Sequence, residues 1–315
     1  MRQFLATILL CLVLTPACAA ERPARGFADD LLGRWDLRVA GDDGEYPSWV
    51  ELRLRTEWQL MARFVGRFGS TRYTDDVEFA DGRLRLRVPV QYEPGPGALE
   101  FEGELRDGGL AGTLIAPGAE AVPFTGERAP ALERAGVPEA GNPLALFDGV
   151  SLSGWRPRHA AHAGCWQVAD GVLRATPPCV DLVSVPRFDD FRLEVEFRYP
   201  AGSNSGLYLR GRYELQIQDD HGLAVDPLRM GGVYGFIAAA TNAARPAGAW
   251  QRYDVELRGR RVTVALNGTT VIAGSEIPGI TGGALDAEEA EPGPLMLQGD
   301  HGPIEFRRIV LTPLE

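Results

Sequence analysis

Acid–base chemistry at neutral pH needs a proton acceptor and a proton donor within reach of one substrate. Few side chains in this sequence offer that. It has four histidines, at 159, 162, 221 and 301. Only His301 sits in a glycine-flanked string, GDHG at 299–302, where backbone can approach a ligand closely and imidazole can shuttle a proton. His159 and His162 fall in an Ala-rich loop read as exposed. The carboxylate that stands out is Glu214, within residues 203–218 (SNSGLYLRGRYELQIQ). This stretch alternates, so a strand pair would place Tyr208, Arg210, Glu214, Gln216 and Gln218 on one face and Leu207, Leu209, Leu215 and Ile217 on the other. A wet strand elsewhere, residues 191–199 (FRLEVEFRY), carries only charges on its polar face. An aromatic, two amides, an acid and a guanidinium instead suit a neutral polyhydroxylated molecule.

On this reading Glu214 is the base. Arg210 donates to a developing oxyanion, or orients Glu214 and by pairing lowers its pKa. Gln216 holds a hydroxyl rather than moving protons, because an amide does not titrate near neutrality. Asn204 and Ser205 open the hairpin, Tyr234 lies in GGVYGF, Gln298 precedes GDHG, and Asp219 follows the strand end. All five are candidate substrate contacts. Each has a plainer structural alternative: an Arg–Glu surface pair, a turn former, a core aromatic, a solvated acidic turn. To keep the leucines together, the hairpin is expected to use a three-residue connection at 211–213, pairing Arg210 with Glu214 and Tyr208 with Gln216.

The elements that must position these groups are strands. The 315 residues include 38 Gly and 23 Pro, and no long helical periodicity appears. Residues 27–128 form successive short strand candidates with hairpin signals at Asp81-Gly82 and Asp107-Gly108, which predicts a small β meander or barrel. Its Trp35, Trp49 and Trp58 are read as packing residues before they are read as a sugar platform. Residues 129–143 (APALERAGVPEAGNP) read as a linker with room for a short helix near 131–135. From 144 to 315, strands with one apolar face predict antiparallel sheets packed face to face, a jelly-roll sandwich. The signals include Asp170-Gly171, Asn267-Gly268 and a parity slip between Phe306 and Ile309 that marks a bulge. Trp155, Trp166 and Trp250 are assigned mainly to the core. The acidic, turn-rich residues 281–294 read as a mobile loop.

Residues 1–20 have the pattern of a secretory signal: Arg2, an apolar run at 4–14 too short to span a bilayer, and Ala17-Cys18-Ala19. A lipoprotein reading through Cys18 ranks below soluble export to the periplasm or outside, and no later stretch suits a membrane span. Past the signal, Cys165 and Cys179 are either a disulfide or two separate buried thiols. The formal net charge of −11 argues against nucleic acid as a partner. HExxH, CxxC and a serine-nucleophile elbow are missing from the sequence. Loop carboxylates are compatible with calcium, but no spacing requires it, and no cofactor is expected.

Five motifs, in order, resemble the 3-keto-disaccharide hydrolase family, formerly a domain of unknown function: LFDGVSLSGWR (146–156), Trp166 with DGVL (170–173), GSNSGLYLRGRYELQIQD (202–219), PAGAWQRYDVELRGRRVTVALNG (246–268) and LQGDHGPIEFRRI (297–309). The resemblance covers the second domain and implies a concanavalin A-like jelly roll. It also implies substrates whose C3 hydroxyl is already a ketone, cleaved by removal of the C2 proton, elimination of the C1 substituent and hydration. The competing function for the same fold is a glycan-binding, lectin-like protein without catalysis.

Overall fold

The computed structural model describes residues 29–315 except 57–58, 94 and 161–163. The expected signal with Cys18, and also Trp58 and His162, lie outside the described residues. Among the described residues, apart from one turn of 3-10 helix, Asp29–Leu31, every regular element is a strand.

Strands Gly33–Gly41, Gly44–Thr56, Gln59–Val65 and Arg72–Thr74 form one meander, and five strands from Val77–Ala80 to Ala121–Arg128 form a second. Gly33–Gly41 pairs with Ala121–Arg128 and joins them into one nine-stranded sheet. Alternation sends Leu37, Val39, Leu52, Phe64, Leu84 and Phe101 inward, so the sheet curls around its own core. The outer strand Arg72–Thr74 folds onto Arg83–Pro89, the neighbour of the other outer strand: Thr74 Oγ1 donates to the carbonyl of Arg87 at 2.8 Å, and the Arg87 amide donates to the carbonyl of Asp76 at 3.1 Å. Both expected hairpins are present, with positive φ at Asp81, Gly82, Asp107 and Gly108, as a two-residue type I′ turn requires. Trp35 and Trp49 are buried, so neither is an open sugar platform.

The second unit is a two-sheet jelly-roll sandwich. Its larger sheet centres on Asp190–Arg198, flanked by Ile304–Leu314 and Gln251–Arg258. The smaller sheet runs in the order Trp155–Pro157, Leu182–Phe188, Gly293–Leu297, Asn204–Leu209, Tyr213–Gln218. Phe191, Val195, Phe197, Tyr253 and Phe306 meet Leu207, Leu215, Ile217 and Leu297 between the sheets, all fully buried. Truncating one of these phenylalanines to alanine would cost about 3–5 kcal/mol. The bulge appears where parity slipped: Glu196 faces Arg308 while Phe197 faces Phe306. Trp155 and Trp166 are core residues. Trp250 instead lies half-buried on the surface between the guanidinium groups of Arg198 and Arg307. Cys165 and Cys179 form a disulfide.

Three expectations need correction. Residues 129–143 hold no helix and are tied to the sandwich. Leu132 is buried against Gly259, Arg134 pairs with Asp189 and Asp190, and Ala140 bridges to Leu314. The acidic segment 281–294 is likewise anchored rather than free. Its Glu289 is fully buried, accepts from Tyr213 Oη at 2.7 Å, and pairs with Arg34 of the barrel and with Arg260. Its carboxylates are there to meet arginines. The third correction is the hairpin register. The connection does have three residues, but they are Arg210, Gly211 and Arg212, so Tyr208 faces Glu214 and Leu209 faces Tyr213. The faces are as expected and the pairing is displaced by one residue on each strand. Arg210 adopts a left-handed φ of 55°, and both arginines turn away to bind backbone carbonyls and acids of neighbouring loops.

The barrel and sandwich share packing. Trp49 and Val65 project from the barrel into the sandwich's core cluster, Trp49 Nε1 donates to the carbonyl of Ile280 at 2.8 Å, and the Gly283 amide donates to the carbonyl of Arg67 at 2.8 Å.

Candidate active site

The outer face of the smaller sheet floors a cavity of about 350 Å³. Period two puts Asn204 and Tyr208 of one strand, and Glu214 and Gln216 of the next, on this face, while their leucine neighbours fill the core. Gln298, Asp300 and His301 enter from the end of Gly293–Leu297, and Tyr234 from a segment whose backbone pairs beside Leu215. Of the ten candidates named from sequence, seven therefore line one cavity: Asn204, Tyr208, Glu214, Gln216, Tyr234, Gln298 and His301.

Three do not, Ser205 among them. Arg210 is fully buried in the hairpin turn, where it binds the carbonyls of Glu289 and Glu291 and lies 3.3 Å from Asp189. It neither lines the cavity nor pairs with Glu214. Asp219 accepts from the Gly202 amide at 2.9 Å, a turn contact. Three charged lining groups were missed as candidates: Arg158, Asp181 and Asp300. Asp300 was visible inside GDHG and overshadowed by its histidine. Arg158 and Asp181 come from loops with no spacing signal.

Glu214 is 5% exposed, and burial pushes its carboxyl up to about 8. The expected Arg210 partner would have had the opposite effect. Its neighbour is Tyr208, whose Oη lies 2.9 Å from Glu214 Oε2 and 3.0 Å from the carbonyl of Gly282. One hydroxyl proton cannot serve both oxygens. A protonated Glu214 resolves this by donating to Tyr208 Oη while that hydroxyl donates to Gly282. Ionised Glu214 must draw the tyrosine proton to itself. Gly206 makes the arrangement fit, since a Cβ there would come within 2.4 Å of Glu214 Oε1.

His301 is half-exposed at the cavity mouth, with Nδ1 2.5 Å from Asp300 Oδ1. The Asp300 contact raises the imidazole above its ordinary value and holds the carboxyl below its own. This fixes one ring nitrogen and leaves Nε2 for chemistry. His301 also favours ionised Glu214, so the two titrations influence each other. Asp181, raised by burial, accepts from Arg158 Nη1 at 3.0 Å and from the Gly299 amide at 3.1 Å, which pins the start of GDHG. The Gln298 Oε1 is buried and has no partner among the described residues, so that amide is open to a ligand hydroxyl. Gln216 is already committed to the Leu228 carbonyl and the Ile217 amide. Among the described residues no group of three or more His, Cys, Asp or Glu is placed to hold a metal ion.

Carboxyl, imidazole, guanidinium and amide thus converge on a space large enough for a sugar ring, with proton donors and acceptors that exchange near neutrality. The sequence profile of the 3-keto-alpha-glucoside-1,2-lyase-like domain matches residues 142–312, the whole sandwich. Similar solved structures include a candidate glycosyl hydrolase from Parabacteroides distasonis, 26% identical over 57% of this chain and 92% of that one, with a TM-score of 0.47. A carbohydrate-binding module from Bacillus subtilis is 15% identical over 50% of this chain and 93% of its own, with a TM-score of 0.34. A search of curated proteins finds no match to this chain.

Proposed function

We propose that this chain, which belongs to the 3-keto-alpha-glucoside-1,2-lyase-like family, cleaves 3-keto-glycosides in the cavity built on Tyr208 and Glu214. The family makes it a carbohydrate-active jelly-roll protein; the specific reaction is our reading. The observation that carries it is a buried carboxyl poised near pH 8 beside an Asp-supported imidazole in one sugar-sized space.

A C3 ketone acidifies the hydrogen on C2. Ionised Glu214 takes that proton, and the C–H electron pair becomes an enolate whose charge sits on the C3 oxygen. Arg158 is the nearby cation suited to that oxygen, while the open Gln298 Oε1 accepts from a ring hydroxyl. Collapse of the enolate forms the C1–C2 double bond and breaks the C1–O bond, and His301 gives its proton to the departing oxygen. Water then adds: its oxygen bonds to C1 while His301 takes back a proton from it, and Glu214 returns its proton to C2. The sum is hydrolysis, with no oxocarbenium-like state and no second carboxylate as nucleophile. A base of pKa about 8 is stronger than an ordinary carboxylate, which suits removal of a carbon-bound proton.

The test is release of glucose from 3-keto-trehalose and 3-keto-glucosides by the purified protein. Turnover should rise with pH through the neutral range as Glu214 ionises and fall once His301 loses its proton. Glu214→Gln should lower kcat by at least about 10³-fold, and His301→Gln should remove the alkaline limb. Sugar binding without turnover across several keto-sugars would establish the lectin-like alternative instead. We place this activity outside the cytoplasm, on the signal-like pattern of residues 1–20 and the Cys165–Cys179 disulfide.

A further inference from the structure

The cavity is not built by the sandwich alone. Phe68, Gly69 and Tyr92, from two loops of the barrel, also line it. These loops are locked to each other. Gln91 exchanges two hydrogen bonds with Ser70, at 2.9 and 3.0 Å, and Arg72 binds Glu93 at 2.7 Å. They are also locked to the sandwich. The Gly283 amide donates to Arg67, a Cβ at Gly282 would come within 2.4 Å of the Gly69 carbonyl, and a Cβ at Gly235 would come within 2.6 Å of Ser70. Such close approaches require glycine on the sandwich side. The Tyr92 ring lies over Gly69, where a Cβ would meet it at 2.7 Å, and its hydroxyl is near enough to Tyr234 to raise that phenol. Yet Phe68 and Tyr92 are 57% and 65% exposed. Two large rings held in place by rigid loops, left open at the rim of a sugar-sized cavity, are costly to solvate unless something covers them.

We propose that Phe68 and Tyr92 form the subsite for the leaving group, a second pyranose ring whose C–H face stacks on them while the oxidised ring sits over Glu214. This rests on the keto-glycoside reading of the cavity and assigns the barrel a role in choosing substrate. The polar groups that move protons all come from the sandwich, and the aromatic rim comes from the barrel, so reaction and leaving-group selection divide between the two units. Neither ring is in a core, so truncation leaves both folds intact.

The experiment compares a 3-keto-disaccharide with methyl 3-keto-glucoside, whose leaving group is too small to reach the rim, in wild type, Phe68→Ala, Tyr92→Ala and Tyr92→Phe. We expect each alanine variant to lose about fivefold to tenfold in kcat/KM for the disaccharide and less than about twofold for the methyl glycoside. Tyr92→Phe, which keeps the ring, should stay near wild type. Equal losses on both substrates, or none on either, would overturn the assignment. Calorimetric titration with unoxidised trehalose and methyl glucoside separates this from failure of the reaction itself. If no keto-sugar turns over, a disaccharide preference that is lost in the alanine variants still supports the rim subsite, and equal affinities reject it.

Discussion

Glu214 carries the sharpest consequence at the scale of single residues. Its carboxyl keeps its proton in the folded chain up to about pH 8, whereas an ordinary carboxyl releases it near 4.5. Below that window both folded and unfolded chains hold the proton. Within it only the folded chain does, so stability declines as pH rises, by about 1.4 kcal/mol per pH unit where the difference is one full proton. Above it the loss is complete. Glu214→Gln cannot ionise and lacks this slope. Its melting temperature should exceed that of wild type clearly at pH 8.5 and much less at pH 5. Identical pH dependence in both proteins would show that the carboxyl is not held protonated. The expected opposite shift came from placing Arg210 beside Glu214. Alternation reveals which face a residue occupies, not whether a turn residue joins the strand, and Arg210 was taken up by the carbonyls of Glu289 and Glu291.

At the scale of elements, the sequence revealed most where a local rule determines a local shape. Asp-Gly and Asn-Gly dipeptides marked type I′ turns, the parity slip after Phe306 marked the bulge, and paired leucines fixed the hairpin's inner face. What it concealed depends on contacts between distant segments: the anchoring of 281–294 by barrel arginines, and the approach of Arg158 and Asp181 to GDHG. The disulfide is one such contact with a testable role. Next to it, Trp166 Nε1 donates to the Val180 carbonyl at 2.7 Å, and Asp181 follows at once to hold the Gly299 amide. Replacing both cysteines with serine should destabilise the chain by about 3 kcal/mol, which lowers the melting temperature by roughly 6–12 °C. It should also weaken kcat/KM through GDHG. A reductant that leaves both quantities unchanged would count against the brace.

At the scale of the whole molecule, the two units hold separate cores but one cavity, so the second half of the chain was readable as an enzyme while its specificity was not. Nothing in the barrel's strand pattern says that Phe68 and Tyr92 face a neighbour's pocket. Their setting has a mechanical side. The barrel sheet is not fully sealed, and the gap runs along Arg72–Thr74 and Val77–Ala80, directly after the loop that bears Phe68 and beside the strand that leads to Tyr92. Backbone amides along that seam lack a continuous ladder, so they should trade protons for deuterium sooner than those of Asn204–Leu209 and Tyr213–Gln218, which lie inside paired sheet. Deuterium uptake resolved by peptide would show this as a fast band in the barrel and a slow cavity floor. The molecule would then keep its proton-transfer groups on slowly exchanging sheet, and would hold its stacking rings beside a looser seam only through the Ser70–Gln91 and Arg72–Glu93 contacts.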